Sequence, residues 1–358
     1  MGAKQATPNK RDVYTSTIEP EITETLQRRS IIPTQSDIPT PFTKMQTLSE
    51  EWNLCGKYDS SRRVNVVSDP KLERRRLPHL IVEKTVKQRA TESIEMLRNE
   101  LEMLLYILRY AQLTVGLMHP NVIQLRGYFA FCKRVHIFVE FCELGSFKRA
   151  YILESNPLLR LNFLPIESEV RDAMRQIVSG VAYLHANGIA HCDLALENIF
   201  VTSMNVLKIG DFDHAVFVGT ENLKQRFKGD EPLRRIYGAP ELYAVANPDT
   251  NKLVDLQKAD VWVLGIMLVM LYTKKPMFDS TAPDDRGFQL FLRVGVRAYL
   301  RAMYLEQSAI CKFSDDMLDL LEKTLVVDPI QRITASQALA SRWLQSGVSD
   351  DPDTQLAT

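Results

Sequence analysis

The hydrophobic pattern of this chain changes character after Gly145, and that change constrains the fold more than any other feature. Before it, LIVEKTV at residues 80–86 and VHIFVEF at residues 135–141 are typical of strands, and residues 91–113 show one long helical pattern. After it, helical spacing dominates, near residues 167–186, 255–272, 287–304 and 314–327. A strand-rich first part and a helix-rich remainder predict an α+β fold of two lobes.

Composition along the chain indicates the domain boundaries. Residues 1–48 are rich in Thr, Ser, Pro, Lys and Glu without periodicity, so we expect a flexible leader that is a candidate docking segment. Residues 49–345 are predicted to form the folded domain, with lobes at 49–142 and 143–345. The short acidic stretch at residues 346–358 is predicted to be a disordered tail.

Charge and cysteine content exclude several function classes. The 44 basic and 44 acidic residues cancel, so no nucleic-acid partner is expected. The longest apolar run, residues 261–272, is shorter than the roughly 20 residues that span a bilayer, and no signal peptide opens the chain, so no membrane anchor is expected. Five cysteines without a C-x-x-C pair are typical of a reduced compartment, and we expect a cytoplasmic protein.

Polar residues with the chemistry of a magnesium site follow Gly145. Asp193, Asn198 five residues later and Asp211 on the next predicted hairpin form a set of carboxylate and amide oxygens. A single loop aspartate is usually a turn or cap residue. Oxygen ligands at this density suit a hard cation such as Mg²⁺, which commonly bridges substrate phosphates.

The ordered motifs around these residues resemble those of the eukaryotic protein kinase family, over roughly residues 50–345. HCDLALEN at residues 191–198 is similar to H-R-D-L-x-x-x-N, DFD at 211–213 to D-F-G, and APE at 239–241 is identical to A-P-E. The resemblance implies a two-lobed protein-kinase-like fold, with a small antiparallel-sheet N-lobe and a larger helical C-lobe.

The resemblance also implies a role for each polar residue. Asp193 would accept or orient the proton of the attacking hydroxyl, and Asn198 and Asp211 would hold Mg²⁺. Lys84 would contact the phosphates of ATP and pair with Glu100, although a long insertion before residue 119 leaves Glu102 as an alternative partner.

Further residues are implied by the same resemblance. The remaining ATP-binding positions are Gly56, Val82, Val139, Glu140 and Cys142. The expected structural positions are a stack of Leu104, Leu125, His191 and Phe212 anchored by Asp260, and an ion pair between Glu241 and Arg332.

Several positions depart from the family pattern. The glycine-rich phosphate loop retains Gly56 as its single glycine, and Val82 stands where kinases carry alanine, so both changes are expected to weaken nucleotide binding. Cys192 replaces an arginine that normally receives a phosphate, and the following loop offers one hydroxyl, Thr220, so we expect activity that is independent of phosphorylation there. Asp213 replaces the motif glycine and could either bind magnesium or repel the triphosphate.

The acceptor preference and the activity itself have alternatives. Alanine at position 195 resembles the pattern of tyrosine kinases. In contrast, IYGAPE at residues 236–241 resembles the segment of serine/threonine kinases, although Arg234 stands where the latter carry threonine. The prediction is an ATP- and Mg²⁺-dependent kinase of protein substrates, with Ser/Thr favoured over Tyr. The alternatives are a pseudokinase that acts as a scaffold or allosteric partner, and a small-molecule phosphotransferase with a kinase-like core.

Overall fold

The computed structural model describes eleven stretches of the chain: residues 43–47, 62–68, 80–87, 91–114, 118–131, 134–153, 166–218, 224–226, 234–245, 253–304 and 313–347. The chain divides into two compact units. The first comprises Met1–Met118 and Ile123–Phe141, and the second comprises His119–Val122 and Cys142–Thr358. The division between Phe141 and Cys142 lies one residue before the predicted lobe boundary.

The first unit contains a five-stranded antiparallel sheet. Its strands are β1 (Thr43–Thr47), β2 (Arg62–Ser68), β3 (Leu80–Lys87), β4 (Leu125–Phe131) and β5 (Arg134–Glu140). The spatial order is β1-β2-β3-β5-β4, so β3 lies at the centre of the sheet. Strand β1 lies within residues 1–48, the stretch expected to be a flexible leader. It nevertheless belongs to the sheet, since it pairs with β2.

A long helix, α1 (Thr91–Thr114), accompanies the sheet. Leu97, Leu101, Leu104 and Leu105 are buried along it at the three- and four-residue spacing of one helical face. The predicted helix at residues 91–113 is therefore confirmed. Glu100 is also buried, at 2% exposure, on the face that the leucines occupy.

The second unit is mainly helical. Its helices are α2 (Glu167–Ala186), α3 (Pro240–Val245), α4 (Leu256–Thr273), α5 (Arg286–Met303), α6 (Asp315–Thr324), α7 (Ala335–Leu339) and α8 (Arg342–Gln345), and a short π-helix spans Arg149–Leu153. Polar side chains begin several of them: Asp255, Asp285, Ser314 and Thr334 each accept a hydrogen bond from a backbone N–H of the first turn.

Helix α4 forms the core of the second unit. It is long and apolar enough to pass a simple test for a membrane span, but 83% of that stretch is buried inside the unit. Trp262 and Ile266 are fully buried, as expected for a helix that is apolar on all sides. Gly265 allows the end of α6 to approach α4 closely.

In the described residues of the second unit, three short antiparallel pairs hold the loops between the helices. β6 (Ile189–Ala190) pairs with β9 (Val216–Phe217), β7 (Ile199–Val201) with β8 (Leu207–Ile209), and β10 (Lys224–Arg226) with β11 (Leu253–Asp255). The segment with HCDLALEN lies between β6 and β7, and the segment with DFD lies between β8 and β9. Gly56 and Thr220 lie outside the described residues, as do residues 348–358 of the predicted tail.

Candidate active site

The loop between β6 and β7 is fixed by apolar side chains that point inward. Leu194 and Leu196 are buried at 2% and 0% exposure, and Ala195 between them is also fully buried. Asp193 is 8% exposed and Asn198 is 3% exposed, so the polar residues of the loop are held close to a packed interior. A carboxylate in this setting needs hydrogen-bond donors to offset its lost hydration.

Asp260 of α4 anchors the start of this loop. Its Oδ2 accepts a hydrogen bond from the backbone N–H of His191 at 2.7 Å, and its Oδ1 accepts one from Cys192 N–H at 3.0 Å. The imidazole of His185 contacts Oδ2 at 3.0 Å. Three contacts on a 2%-exposed carboxylate make Asp260 a rigid attachment for the loop, as the anchoring role predicted for it requires.

His191 connects the two motif segments. Its Nδ1 lies 3.3 Å from Asp193 N, which donates to it, so the ring proton is on Nε2, which lies 3.1 Å from Gly210 O and donates to it. The ring contacts Phe212 at a centroid distance of 5.0 Å. The part of the predicted stack that lies within the second unit is therefore present.

Asn198 is bonded to the candidate base. Its Nδ2 donates to Asp193 O and to Asp193 Oδ2, each at 2.8 Å. With Nδ2 used in this way, the carbonyl oxygen Oδ1 is the atom of Asn198 that a metal ion can use. The amide thus orients Asp193 and offers a hard oxygen ligand at the same time.

The residue before Asp211 in the sequence, Gly210, is hydrogen-bonded to Asn198. Gly210 N donates to Asn198 O at 3.0 Å, which brings the two predicted magnesium ligands into one local region. Asp211 has a left-handed backbone with φ 66°. This conformation is uncommon outside glycine, and aspartate tolerates it better than most residues. The donor set, one carboxylate and one amide oxygen, fits a magnesium ion that also takes waters and phosphate oxygens.

Arg234 forms a bidentate ion pair with Asp193. Arg234 Nε lies 2.7 Å from Asp193 Oδ1, and Nη2 lies 3.0 Å from Oδ2. The same guanidinium approaches Glu197 Oε1 at 3.7 Å through Nη1. The candidate base, Asp193, is therefore paired with a guanidinium from the segment that precedes APE.

In the first unit, the predicted lysine–glutamate pair is present. Lys84 Nζ lies 2.6 Å from Glu100 Oε1, and the two side chains are 11% and 3% exposed. Glu102 pairs with Arg98 instead, at 3.3 Å. Of the two partners considered from the sequence, the structure therefore selects Glu100.

The other predicted ATP-binding residues of this unit are neighbours in the sheet. Val82 on β3 is directly opposite Val139 on β5, and both are buried. Glu140 Oε1 accepts a hydrogen bond from Gln124 N at 2.8 Å, which fixes the end of β5. Cys142 is the first residue of the longer segment of the second unit, is 6% exposed, and its backbone carbonyl accepts a hydrogen bond from Gly145 N. Their roles toward ATP stay predictions.

The predicted pair of Glu241 and Arg332 is also present. Arg332 Nη1 and Nη2 lie 2.6 and 2.9 Å from the two carboxylate oxygens of Glu241. The Arg332 side chain is fully buried and lies over the Trp262 ring, 5.2 Å from its centroid. This pair fixes α3, and with it the end of the segment that contains Arg234.

Two departures from the family pattern have local consequences. Burial, followed by the nearby carboxylates of Asp260 and Asp193, raises the pKa of the Cys192 thiol well above its usual range. Position 192 is therefore neutral; that activity does not depend on loop phosphorylation stays a prediction. Asp213 is buried, and its Oδ1 lies 3.7 Å from His214 Nε2.

Sequence reasoning missed three residues of this network. Glu197 accepts a hydrogen bond from Tyr237 at 3.2 Å and pairs with Lys148 at 2.6 Å. Burial, and then the charge of Glu197, raise the pKa of Tyr237, so its hydroxyl remains a donor. The available signal was the position of Glu197 directly before Asn198 in HCDLALEN, where a charged residue has to find a partner.

Comparisons with known proteins agree with this geometry. The protein kinase domain model matches residues 76–344. The chain is 29% identical over 262 residues to the carbon catabolite-derepressing protein kinase of Secale cereale, covering 73% of this chain and 44% of that protein. It is 30% identical over 273 residues to the serine/threonine-protein kinase SIK1 of Mus musculus (75% and 31% covered).

A third relative is the serine/threonine-protein kinase PLK4 of Nematostella vectensis, 34% identical over 224 residues, with 62% of this chain and 20% of that protein covered. The chain thus spans less than half the length of these relatives. The family model covers most of the chain, and the motif residues occupy the arrangement described above. The chain belongs to the protein kinase family.

Proposed function

We propose that this chain transfers the γ-phosphate of ATP to a hydroxyl of a protein substrate, with serine or threonine favoured over tyrosine. The observation that carries the proposal is a set of two hydrogen bonds centred on Asn198. Its side chain donates to Asp193, and its backbone carbonyl accepts from Gly210, the residue before Asp211. A core that needs only apolar packing has no use for a buried carboxylate beside a buried amide. Phosphoryl transfer needs both, because it depends on positioning and charge stabilisation.

In this proposal, the residues of the chain bind and orient the reactants. Asp193 accepts a hydrogen bond from the acceptor hydroxyl and directs it toward the phosphorus. Asn198 and Asp211 hold magnesium, which when bound neutralises charge on the β- and γ-phosphates. Lys84 contacts ATP phosphates, and Glu100 keeps its ammonium group in place.

The preference for serine or threonine is supported by two observations. Two of the relatives described above are named serine/threonine-protein kinases. IYGAPE at residues 236–241 is similar to the equivalent segment of that class. Ala195 is the contrary feature, because it is similar to tyrosine kinases.

The second candidate function is a pseudokinase that acts as a scaffold or allosteric partner. The specific observation in its favour is the bidentate contact of Arg234, which takes one hydrogen-bonding site on each oxygen of Asp193 and so reduces what the carboxylate can offer an acceptor hydroxyl. Val82 and the single-glycine phosphate loop point in the same direction. Phosphotransfer measurements separate the two functions.

The test compares wild type with Asp193→Asn, using labelled ATP, Mg²⁺ and generic protein substrates. We expect a loss of at least about 100-fold, since a positioned base contributes about 10²–10⁴-fold. Asp172→Asn is the matched control, because the Asp172 side chain is 68% exposed and forms a local ion pair with Arg175, three residues along the same helix. Transfer that Asp193→Asn retains would contradict the proposed chemistry, and phosphoamino-acid analysis of the product identifies the acceptor.

We also propose a cytoplasmic location, a protein substrate as the main partner, and docking through the N-terminal leader. The balanced charge and the cysteine pattern support the first of these proposals. Adding the peptide of residues 1–42 in trans tests the docking proposal, because a docking segment competes and raises the KM for the protein substrate. An unchanged KM would argue against it.

A further inference from the structure

The cation on the candidate base comes from outside the base's own loop. Residues 191–198 contain no lysine or arginine, and the residue two positions after Asp193 is Ala195, which offers only a methyl group. Arg234, 41 residues later, instead places its guanidinium on Asp193. The Arg234 side chain is 18% exposed and the Asp193 side chain 7%, so the pair is well shielded from water.

The guanidinium contacts both carboxylate oxygens but does not saturate them. Asp193 Oδ2 accepts from Asn198 Nδ2 and from Arg234 Nη2, whereas Oδ1 accepts from Arg234 Nε, among the contacts of the described residues. Each carboxylate oxygen has about two acceptor sites. Oδ1 therefore keeps capacity for one further donor, such as an acceptor hydroxyl.

Arg234 is itself held in place by a second carboxylate. Glu197 Oε1 lies 3.7 Å from Arg234 Nη1, and Glu197 in turn accepts from Lys148 and Tyr237. Two basic and two acidic side chains thus form a partly buried row of ion pairs, in the order Lys148, Glu197, Arg234, Asp193. The planar fork of Arg234 fixes the plane of the Asp193 carboxylate through two hydrogen bonds, and Glu197 attracts the other side of the guanidinium at ion-pair distance.

We propose that Arg234 is the positioning residue of Asp193, and that Glu197 acts through Arg234. This inference rests on the proposed phosphotransfer function. The fork locks the Asp193 carboxylate so that Oδ1 stays directed at the acceptor hydroxyl, and it supplies the positive charge that this catalytic loop lacks.

The first test measures kcat and KM for Arg234→Ala and Arg234→Lys. We expect Arg234→Ala to lower kcat about 10- to 100-fold, since a small misplacement of a reacting group costs about 100-fold. The KM for ATP stays within about twofold, because Arg234 contacts Asp193 and Glu197, to which the proposed function assigns no contact with ATP. Arg234→Lys recovers part of the loss, because lysine keeps the charge but not the fork.

Arg297→Ala is the matched control. Arg297 also bridges two carboxylates, Asp315 and Glu322, but its side chain is 35% exposed and on α5. We expect Arg297→Ala to have the same kcat and KM as wild type. Melting temperatures of all variants are measured in parallel, and Arg234→Lys carries the test if Arg234→Ala fails to fold.

The second test asks whether Glu197 acts through Arg234. Glu197→Gln removes the charge and keeps the shape, and we expect it to lower kcat in the wild-type background. In the Arg234→Ala background the same change is expected to have little further effect, because its target is already gone. Equal effects in the two backgrounds would overturn the role of Glu197.

The outcomes separate this inference from the proposed function. A wild-type chain without Asp193-dependent transfer would overturn both. An active wild type with kcat unchanged in Arg234→Ala and Arg234→Lys would overturn the positioning role alone. A kcat that rises in Arg234→Ala would also overturn it, because the fork would then obstruct the acceptor.

Discussion

His119 is a partly buried base whose Nδ1 accepts a backbone hydrogen bond, an arrangement that favours the neutral ring. Its Nδ1 accepts from Asn121 N at 3.2 Å, its Nε2 lies 3.3 Å from Ser179 Oγ, and its ring stacks on Tyr183 at 4.8 Å. Burial, with a smaller effect of Lys208, lowers the pKa of His119 to about 4. The folded chain therefore holds this histidine neutral over a range in which an unfolded chain would protonate it.

This makes the free energy of unfolding dependent on pH. Between the unperturbed pKa of about 6.5 and the folded value of about 4, the unfolded chain binds more protons, so stability falls as the pH is lowered through that window. Above pH 6.5 the residue contributes nothing to the slope. We expect the denaturation midpoint of His119→Gln to fall less than that of wild type between pH 6.5 and 4.5. Parallel curves for the two proteins would contradict this assignment.

The residues of the site also show how far a sequence can predict contacts. The pairs of Lys84 with Glu100 and of Glu241 with Arg332 agree with the motif spacing. Asp213 replaces the glycine of the D-F-G motif, yet its backbone is not left-handed. Within these two motif segments, the left-handed residues are Cys192 and Asp211. The contact of Arg234 with Asp193 was not predicted either, because a long flexible side chain finds its partner only when the tertiary fold brings distant segments together.

At the scale of elements, Gly265 in α4 is required by the packing of α6. A Cβ added there would lie 2.7 Å from Leu325 Cδ2 and 2.8 Å from Thr324 Oγ1. The Thr324 hydroxyl cannot move freely, because it donates to Leu320 O at 3.0 Å. Alanine would gain about 1 kcal/mol of helix propensity, whereas overpacking costs about 1–3 kcal/mol.

We therefore expect Gly265→Ala to lower the free energy of unfolding, against its helix propensity. Chemical denaturation measures the change. Gly127→Ala on β4 is the control, because a Cβ at Gly127 would meet nothing within 4 Å, and its effect is expected to be neutral or stabilising. A stabilised Gly265→Ala would show that α6 can move away from α4 at little cost.

Sequence periodicity predicted most of the elements because their apolar faces are continuous. Helix α1 and strand β3 agree with prediction to within one residue. Helix α1 buries one row of leucines, whereas the central strand β3 buries neighbouring residues such as Ile81 and Val82 on both of its faces. Strand β1 was missed, because TKMQT has no alternating apolar pattern and its place is set by pairing with β2. The π-helix at Arg149–Leu153 was also not predicted.

At the scale of the whole molecule, binding of magnesium and ATP is expected to stabilise the fold. A ligand at 100 times its dissociation constant adds about 2.7 kcal/mol by mass action. We expect a rise in the melting temperature of wild type with Mg²⁺ and ATP, and a smaller rise in Lys84→Met. The shift is compared within each variant, because removing Lys84 leaves a buried Glu100 without that partner and alters stability by itself.

Lys323→Met is the control for this measurement. Lys323 forms an ion pair with Asp319 that is about half exposed and lies on α6, so its ligand-induced shift should match that of wild type. An equal shift in Lys84→Met would argue against phosphate contact by Lys84. A wild type that shows no shift at millimolar ATP would favour the scaffold function.

The position of β1 and β2 has a practical consequence for anyone who expresses a fragment of this chain. Trimming to the stretch shared with other kinases, residues 76–344, would discard both strands. β3, which pairs with β2 from Leu80 to Val86, would then present a bare row of peptide groups to solvent. Exposed strand edges recruit other chains, so such a fragment should aggregate where one that begins ahead of Thr43 stays dispersed.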